Sequence, residues 1–191
     1  MKTLILDGSK PKHPIQEEIN SIVDELLKDT QSESTYILLA DKQITYCQGC
    51  FDCWLKTPGI CRIDDFGREI TNLMVNNDLI ILITPITFGG YSFELKKAVD
   101  RFIPNLLPFF KEVNGEIHHK QRYDNISSKI FIGFMKNSDE EKEDIFKELT
   151  QRNALNMEGD IFETLVYIQN GDISIFKTQL QNIIMEVKSR L

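Results

Sequence analysis

Residues 79–84 read Leu-Ile-Ile-Leu-Ile-Thr, directly after Asp78, with no polar residue alternating among the apolar ones. A strand with one solvated face alternates, whereas an unbroken apolar run has to be covered on both faces, as the strands of a parallel sheet are. This stretch therefore restricts the chain to architectures that pack other elements above and below a sheet. Thr84-Pro85 ends the run, because proline has no N–H for the ladder and biases its predecessor toward extended backbone. Ser92 then offers a helix N-cap, and Leu95, Ala98, Val99 and Phe102 recur at helical spacing. The local order is strand, glycine-bearing loop, helix.

The same grammar repeats along the chain. Thr3 to Leu6 form a short strand closed by Asp7-Gly8-Ser9, and Pro14 starts a helix with a stripe of Ile15, Ile19, Ile22, Val23 and Leu26. Thr35 to Leu39 read as a second strand, and Ile70, Leu73 and Met74 mark the helix that leads into the run at 79. Lys129 to Met135 are a fourth strand. Ser138-Asp-Glu-Glu141 is a capping-box pattern opening the next helix, and the acids from Asp139 to Asp144 suit its solvated first turn. Phe162 to Ile168 are a fifth strand, followed by a helix capped by Asp172. Five strands alternating with helices predict an α/β fold, a flavodoxin-like doubly wound five-stranded parallel sheet in the order 2-1-3-4-5. One domain over residues 1–191 is expected, interrupted by a cysteine-bearing excursion at about 40–65 and an irregular one at about 104–128.

In such a sheet ligands sit beyond the carboxyl ends of the strands, at the switch point between the first and third. That brings residues 8–13 and 84–91 to one crevice. Gly89-Gly90 would let another body approach the backbone between Phe88 and Tyr91, which suits a flat aromatic ligand; alternatively the glycines serve only a tight turn. Gly8-Ser9-Lys10-Pro11-Lys12-His13 precedes a helix N-terminus and reads as an anion site or as a solvated loop. Lys and Arg number 22 against 29 Asp and Glu, and the net charge of −7 argues against nucleic acid or an anionic membrane as partner. The first residues enter a strand too soon for a signal peptide, and no apolar run is long enough to span a bilayer, so a cytoplasmic chain with reduced thiols is expected.

Cys47-Gln-Gly-Cys50-Phe-Asp-Cys53 and Cys61 carry the sharpest local signal, and Thr57-Pro58-Gly59-Ile60 has the residues of a type II turn that would bring Cys61 back. Three readings stand: a 4Fe-4S cluster on four thiolates, a structural zinc, or unligated thiols packed around Phe51 and Trp54.

With Asp64-Asp65, Thr84-Pro85, Phe88-Gly89-Gly90, Ser92, Leu95-Lys96 and Asp100-Arg101, these cysteines give the chain a resemblance to the NADPH-dependent FMN reductase-like flavoproteins, of which the iron-sulfur flavoproteins are a branch. The resemblance implies a flavodoxin-like homodimer that binds FMN at the crevice and passes electrons from NAD(P)H to a quinone or similar small acceptor. Carried over by position, Thr84, Pro85, Ile86, Thr87, Phe88, Gly89 and Gly90 would meet the ring, and Ser9, Lys10 and Lys12 the phosphate. Cys47, Cys50, Cys53 and Cys61 would match the cluster ligands. Backbone amides near 86–90 would orient the ring, with no catalytic side chain required. His118 and His119, near Phe109 and Phe110, would form a lid over the ring, or else a surface loop or dimer contact. The alternatives are an electron carrier with both FMN and a 4Fe-4S cluster, or a ligand-free interaction protein on the same fold.

Overall fold

In a computed structural model that describes all of residues 1–191, the run at 79 becomes β3 (Leu79–Pro85), with Leu79 to Ile83 fully enclosed. It lies between β1 (Lys2–Asp7) and β6 (Ser128–Met135); β2 (Glu33–Leu38) pairs with the outer edge of β1, and β7 (Phe162–Ile168) with that of β6. All four pairings are parallel. Counting only this sheet's strands, the order is the 2-1-3-4-5 expected. Alternate residues feed two cores. Ile5, Ile81, Ile83 and Ile132 meet α1 (Pro14–Asp29) and α6 (Ile173–Ser189) on one face. Leu6, Ile80, Leu82 and Phe131 meet α3 (Phe66–Val75), α4 (Phe93–Asp100) and α5 (Glu140–Met157) on the other. Each enclosed Leu or Ile stabilises the sheet by roughly 1.5–3 kcal/mol, so both layers are fixed by the same strands.

Both excursions hold more order than a loop. The first contains a single-turn helix, α2 (Asp52–Leu55), and then the type II turn: Gly59 takes φ +84° and the Ile60 N–H donates to Thr57 O at 2.8 Å. The second is no irregular segment but an antiparallel ribbon, β4 (Leu106–Val113) and β5 (Glu116–Gln121), turned by Asn114 (φ 52°) and Gly115 (φ 82°). Asn-Gly with both φ positive is the turn that matches strand twist. Pro108 obscured it, yet a two-stranded ribbon is all edge, and the register shifts between Leu106 and Phe110 to take the proline in.

One cap also moves. The N-cap of α5 is Asp139, whose carboxylate accepts the Lys142 N–H at 3.2 Å, while the Ser138 hydroxyl turns to Glu143. Ser92 and Asp172 cap α4 and α6 as the sequence indicates. No helix is long and apolar enough to cross a membrane.

Candidate functional site

The loops after β1, β3 and β6 open side by side at the carboxyl ends of the strands. Their spacing is set by Gly8. Its N–H donates to Ile83 O at 2.8 Å, its carbonyl accepts the Ser92 hydroxyl at 2.6 Å, and a Cβ there would lie 2.6 Å from both Leu95 Cβ and Ser92 Oγ. Only glycine lets the first loop close on the start of α4. Between the loops is a crevice of about 520 Å³, lined by His13, Ile15, residues 85–88, residues 134–139 and Lys142.

At the end of β1, Asp7 is fully buried and saturated with donors. Oδ1 accepts the Ser9 N–H at 2.8 Å; Oδ2 accepts Gln16 Nε2 (2.8 Å), Asn20 Nδ2 (3.2 Å) and the Tyr36 hydroxyl (2.6 Å). Burial and then Asp7 itself push the Tyr36 phenol up, so it stays a donor. This carboxylate holds the loop to α1 and β2. Two polar atoms nearby are left over: Ser9 Oγ, in a residue with no exposure, and His13 Nδ1, on a ring packed 5.1 Å from Phe134. Enclosed polar atoms are almost always partnered, and a hydroxyl with an imidazole nitrogen ahead of a helix N-terminus is chemistry that fits a phosphate.

Of the residues singled out from the sequence, Pro85, Ile86, Thr87 and Phe88 line the crevice; Thr84, Gly89 and Gly90 do not. Thr84 is enclosed, its hydroxyl accepting the Ser92 N–H at 2.9 Å and donating to Pro85 O at 3.0 Å. Thr87 and Gly90 exchange N–H···O bonds of 2.9 Å around Phe88 (φ 51°) and Gly89 (φ 78°). The body that approaches Gly89 is α5: a Cβ would stand 2.6 Å from Ile145 Cγ2. Because Ile86, Thr87 and Gly90 spend their N–H groups within the protein, Phe88 and Gly89 supply the free amides of this turn. Phe88 is 91% exposed, whereas Tyr91 turns inward, stacks on Phe131 at 5.6 Å and accepts from Asn153. Ser9 is buried and Lys10 and Lys12 are exposed, and none of the three is in the lining. His13 and residues 134–139 contribute more wall than the sequence indicated; the signal available was the pairing of β6 beside β3.

The four cysteines face a separate cavity of about 510 Å³ that shares no lining residue with the crevice. Cys53 is buried, Cys47 and Cys61 are half-buried and Cys50 is exposed. Burial, and then the neighbouring Cys61, Cys47 and Cys50, push the Cys53 thiol up to about 11. No three His, Cys, Asp or Glu side chains close to the geometry of a single metal ion. Four thiolates on one zinc would stand roughly 3.8 Å apart. The donor set is all sulfur, the chemistry that a 4Fe-4S cluster takes. The hairpin walls this cavity and does not cover the crevice. His119 packs on Trp54 (4.7 Å) and Phe110 (4.6 Å), and His118 turns to Asn156 and Glu116.

A family model described as NADPH-dependent FMN reductase matches residues 1–120. An iron-sulfur flavoprotein of Methanocaldococcus jannaschii is 39% identical over 95 residues, which is 50% of this chain and 46% of that protein. One of Methanosarcina thermophila is 29% identical over 103 residues, 54% of this chain and 53% of that one. The chain spans about half the length of the curated relatives it matches. Among solved structures, an NAD(P)H:quinone oxidoreductase from Methanothermobacter marburgensis aligns over 99% of this chain and 93% of its own, with TM-score 0.66 and 12% identity. An FMN-dependent NADH-azoreductase from Bacillus anthracis, solved with FMN, aligns over 99% and 98% with TM-score 0.64 and 13% identity. At those identities the likeness is one of fold.

Proposed function

The chain belongs to the NADPH-dependent FMN reductase family, and from that membership we propose an FMN-dependent oxidoreductase that passes electrons from NAD(P)H to a quinone or similar small acceptor. The observation that carries this reading is the pair of enclosed, unpartnered polar atoms, Ser9 Oγ and His13 Nδ1, on the loop after β1, where His13 lines the crevice. FMN, when bound, supplies the two-electron redox chemistry. The chain's part is to hold and to shield. Ser9 and His13 would hold the phosphate, and Lys136 adds positive charge to the lining, where Lys142 is paired with Asp139. The free N–H groups of Phe88 and Gly89 would orient the ring by donating to it, and Pro85, Ile86 and Phe134 exclude water beside them. No side chain is assigned as acid or base.

The test is a titration of purified protein with FMN, read by quenching of flavin fluorescence, and then NADPH oxidation with a quinone present. Micromolar binding and acceptor-dependent turnover are expected; no binding at tens of micromolar ends the reading. We further propose a cytoplasmic homodimer, to which the exposed Phe88 side chain at the crevice offers an apolar contact.

A second reading rests on the cysteines. Four thiols on one cavity, in a chain similar to proteins named iron-sulfur flavoproteins, support an electron carrier holding FMN and a 4Fe-4S cluster. Anaerobic purification should then yield iron and acid-labile sulfide in equal amounts, and their absence after reconstitution removes this reading.

A further inference from the structure

The cysteine loop leaves the body of the protein at Thr45 and returns at Asp65, and one buried ion pair fastens both ends. Asp65 accepts the Thr45 N–H at Oδ2 (2.7 Å) and the Gly67 N–H at Oδ1 (2.9 Å), the latter as the N-cap of α3. Arg101, just past the end of α4, answers from the far side. Its Nη1 donates to Thr45 O (2.8 Å) and Asp65 Oδ2 (3.0 Å), and its Nη2 to Ile63 O (3.2 Å) and Asp65 Oδ1 (2.9 Å). The side chains are 1% and 7% exposed. Burial alone would raise Asp65; the bonds from Arg101, Thr45 and Gly67 outweigh it and hold the carboxyl below its usual range. Gly67 is shaped to this pair, since a Cβ there would meet Arg101 Cζ at 2.8 Å.

Replacing a buried ion pair by apolar packing is often neutral or stabilising, so stability alone does not explain one. Two observations point to the thiols. Arg101 lines the same cavity as all four cysteines, and its Nε is enclosed with no acceptor, so one guanidinium donor is not spent on the Asp65 pairing. We propose that Asp65 and Arg101 are the positioning pair of the four-cysteine site: they pin both ends of the loop so that the four thiols are kept on one cavity before any metal arrives, and the fixed charge of Arg101 offsets that of the thiolates. The inference rests on the second reading above, in which the thiols are ligands.

The experiment uses the full chain, stripped of metal and reduced, as wild type, Arg101→Lys and Arg101→Met. Three readouts are taken anaerobically: labelling rates of the individual thiols, affinity for Co²⁺ alone from its thiolate charge-transfer band, and the midpoint potential after reconstitution with iron and sulfide. In the wild type Cys53 should label at least tenfold more slowly than Cys50. Arg101→Met should abolish that protection and weaken Co²⁺ binding at least tenfold. Arg101→Lys should fall between, because an ammonium keeps the charge but cannot span Thr45 O, Ile63 O and Asp65 together. The potential should drop in Arg101→Met and hold in Arg101→Lys, a split that a mere loop staple would not produce. A folded Arg101→Met protein with wild-type labelling and Co²⁺ affinity overturns the proposal, and if that variant does not fold, wild-type behaviour of Arg101→Lys in both readouts overturns it equally. A wild type that takes no Co²⁺ and no cluster, while Arg101→Met still frees Cys53, removes the ligand reading and leaves the pinning role standing.

Discussion

Gly8→Ala is the sharpest test of the crevice, because one methyl group acts on the contact that spaces its loops. Gly8 does not occupy the left-handed region, so alanine pays no backbone strain and the effect is steric. The new Cβ would stand 2.6 Å from Leu95 Cβ and Ser92 Oγ and 3.0 Å from Leu95 N. Two of those atoms belong to the rigid first turn of α4 and cannot swing aside. Wedging a methyl into packed structure costs about 1–3 kcal/mol. Parting Ser92 Oγ from Gly8 O costs about 1 kcal/mol more, while a stiffer unfolded chain returns roughly 0.5–1 kcal/mol. A net loss of about 2 kcal/mol should lower the melting temperature by roughly 4–8 °C in a chain of this size. Thermal unfolding followed by circular dichroism measures it, beside FMN affinity, which should fall at least tenfold as Ser9 is carried off its place. In a Ser92→Ala background the alanine should cost less, since one of the two closest atoms is gone. If Gly8→Ala sits within about 0.5 kcal/mol of wild type, the two loops are not wedged as described and the crevice argument loses its foundation.

Three further outcomes follow from the same contacts. Ser9→Ala removes an enclosed hydroxyl without a partner, so folding stability should hold or rise by up to about 1 kcal/mol while the FMN dissociation constant rises roughly tenfold; a stability loss instead would make Ser9 a structural residue. Gly89→Ala combines a φ of +78° with a clash on Ile145 and should destabilise by about 2 kcal/mol, with part recovered by Ile145→Ala in urea unfolding. Lys129 is 2% exposed, and burial, partly offset by Glu158 and Asp160, brings its amine down to about 8. The unfolded lysine keeps its proton up to its ordinary value of 10.5, so between those two pH values the unfolded chain binds more protons and stability rises with pH, by about 3 kcal/mol at most. Lys129→Met should flatten that slope, and an unchanged slope would refute the assignment.

The sheet was legible because each apolar run reports its own burial: a strand enclosed on both faces cannot alternate, and the run at 79–84 does not. The type II turn at Thr57–Ile60 was equally legible, since proline and glycine fix φ by their own covalent structure. Direction was harder to read. Phe88 and Tyr91 look alike as flanks of Gly89-Gly90, yet two consecutive positive φ values at Phe88 and Gly89 send one ring to solvent and the other into the core. The sequence gives no sign that a phenylalanine will adopt that conformation. Gly89 was misleading for a related reason, because a glycine marks a close approach without saying what approaches.

The site's most consequential contacts are also its least local. Asp65 and Arg101 stand 36 residues apart, Thr45 and Arg101 56, Gly8 and Ser92 84. A cap, a turn or a stripe is written in neighbouring residues because its geometry closes within one turn of backbone. An ion pair closed by tertiary packing leaves no such trace: Asp65 caps the start of α3 and Arg101 ends α4, and no residue beside either names the other. The same sequence distance explains why the cysteine spacing could suggest convergence without establishing it. Three thiols at intervals of three converge only if both ends of the loop are anchored, and here the anchors lie outside the loop, at Arg101 and at the start of α3.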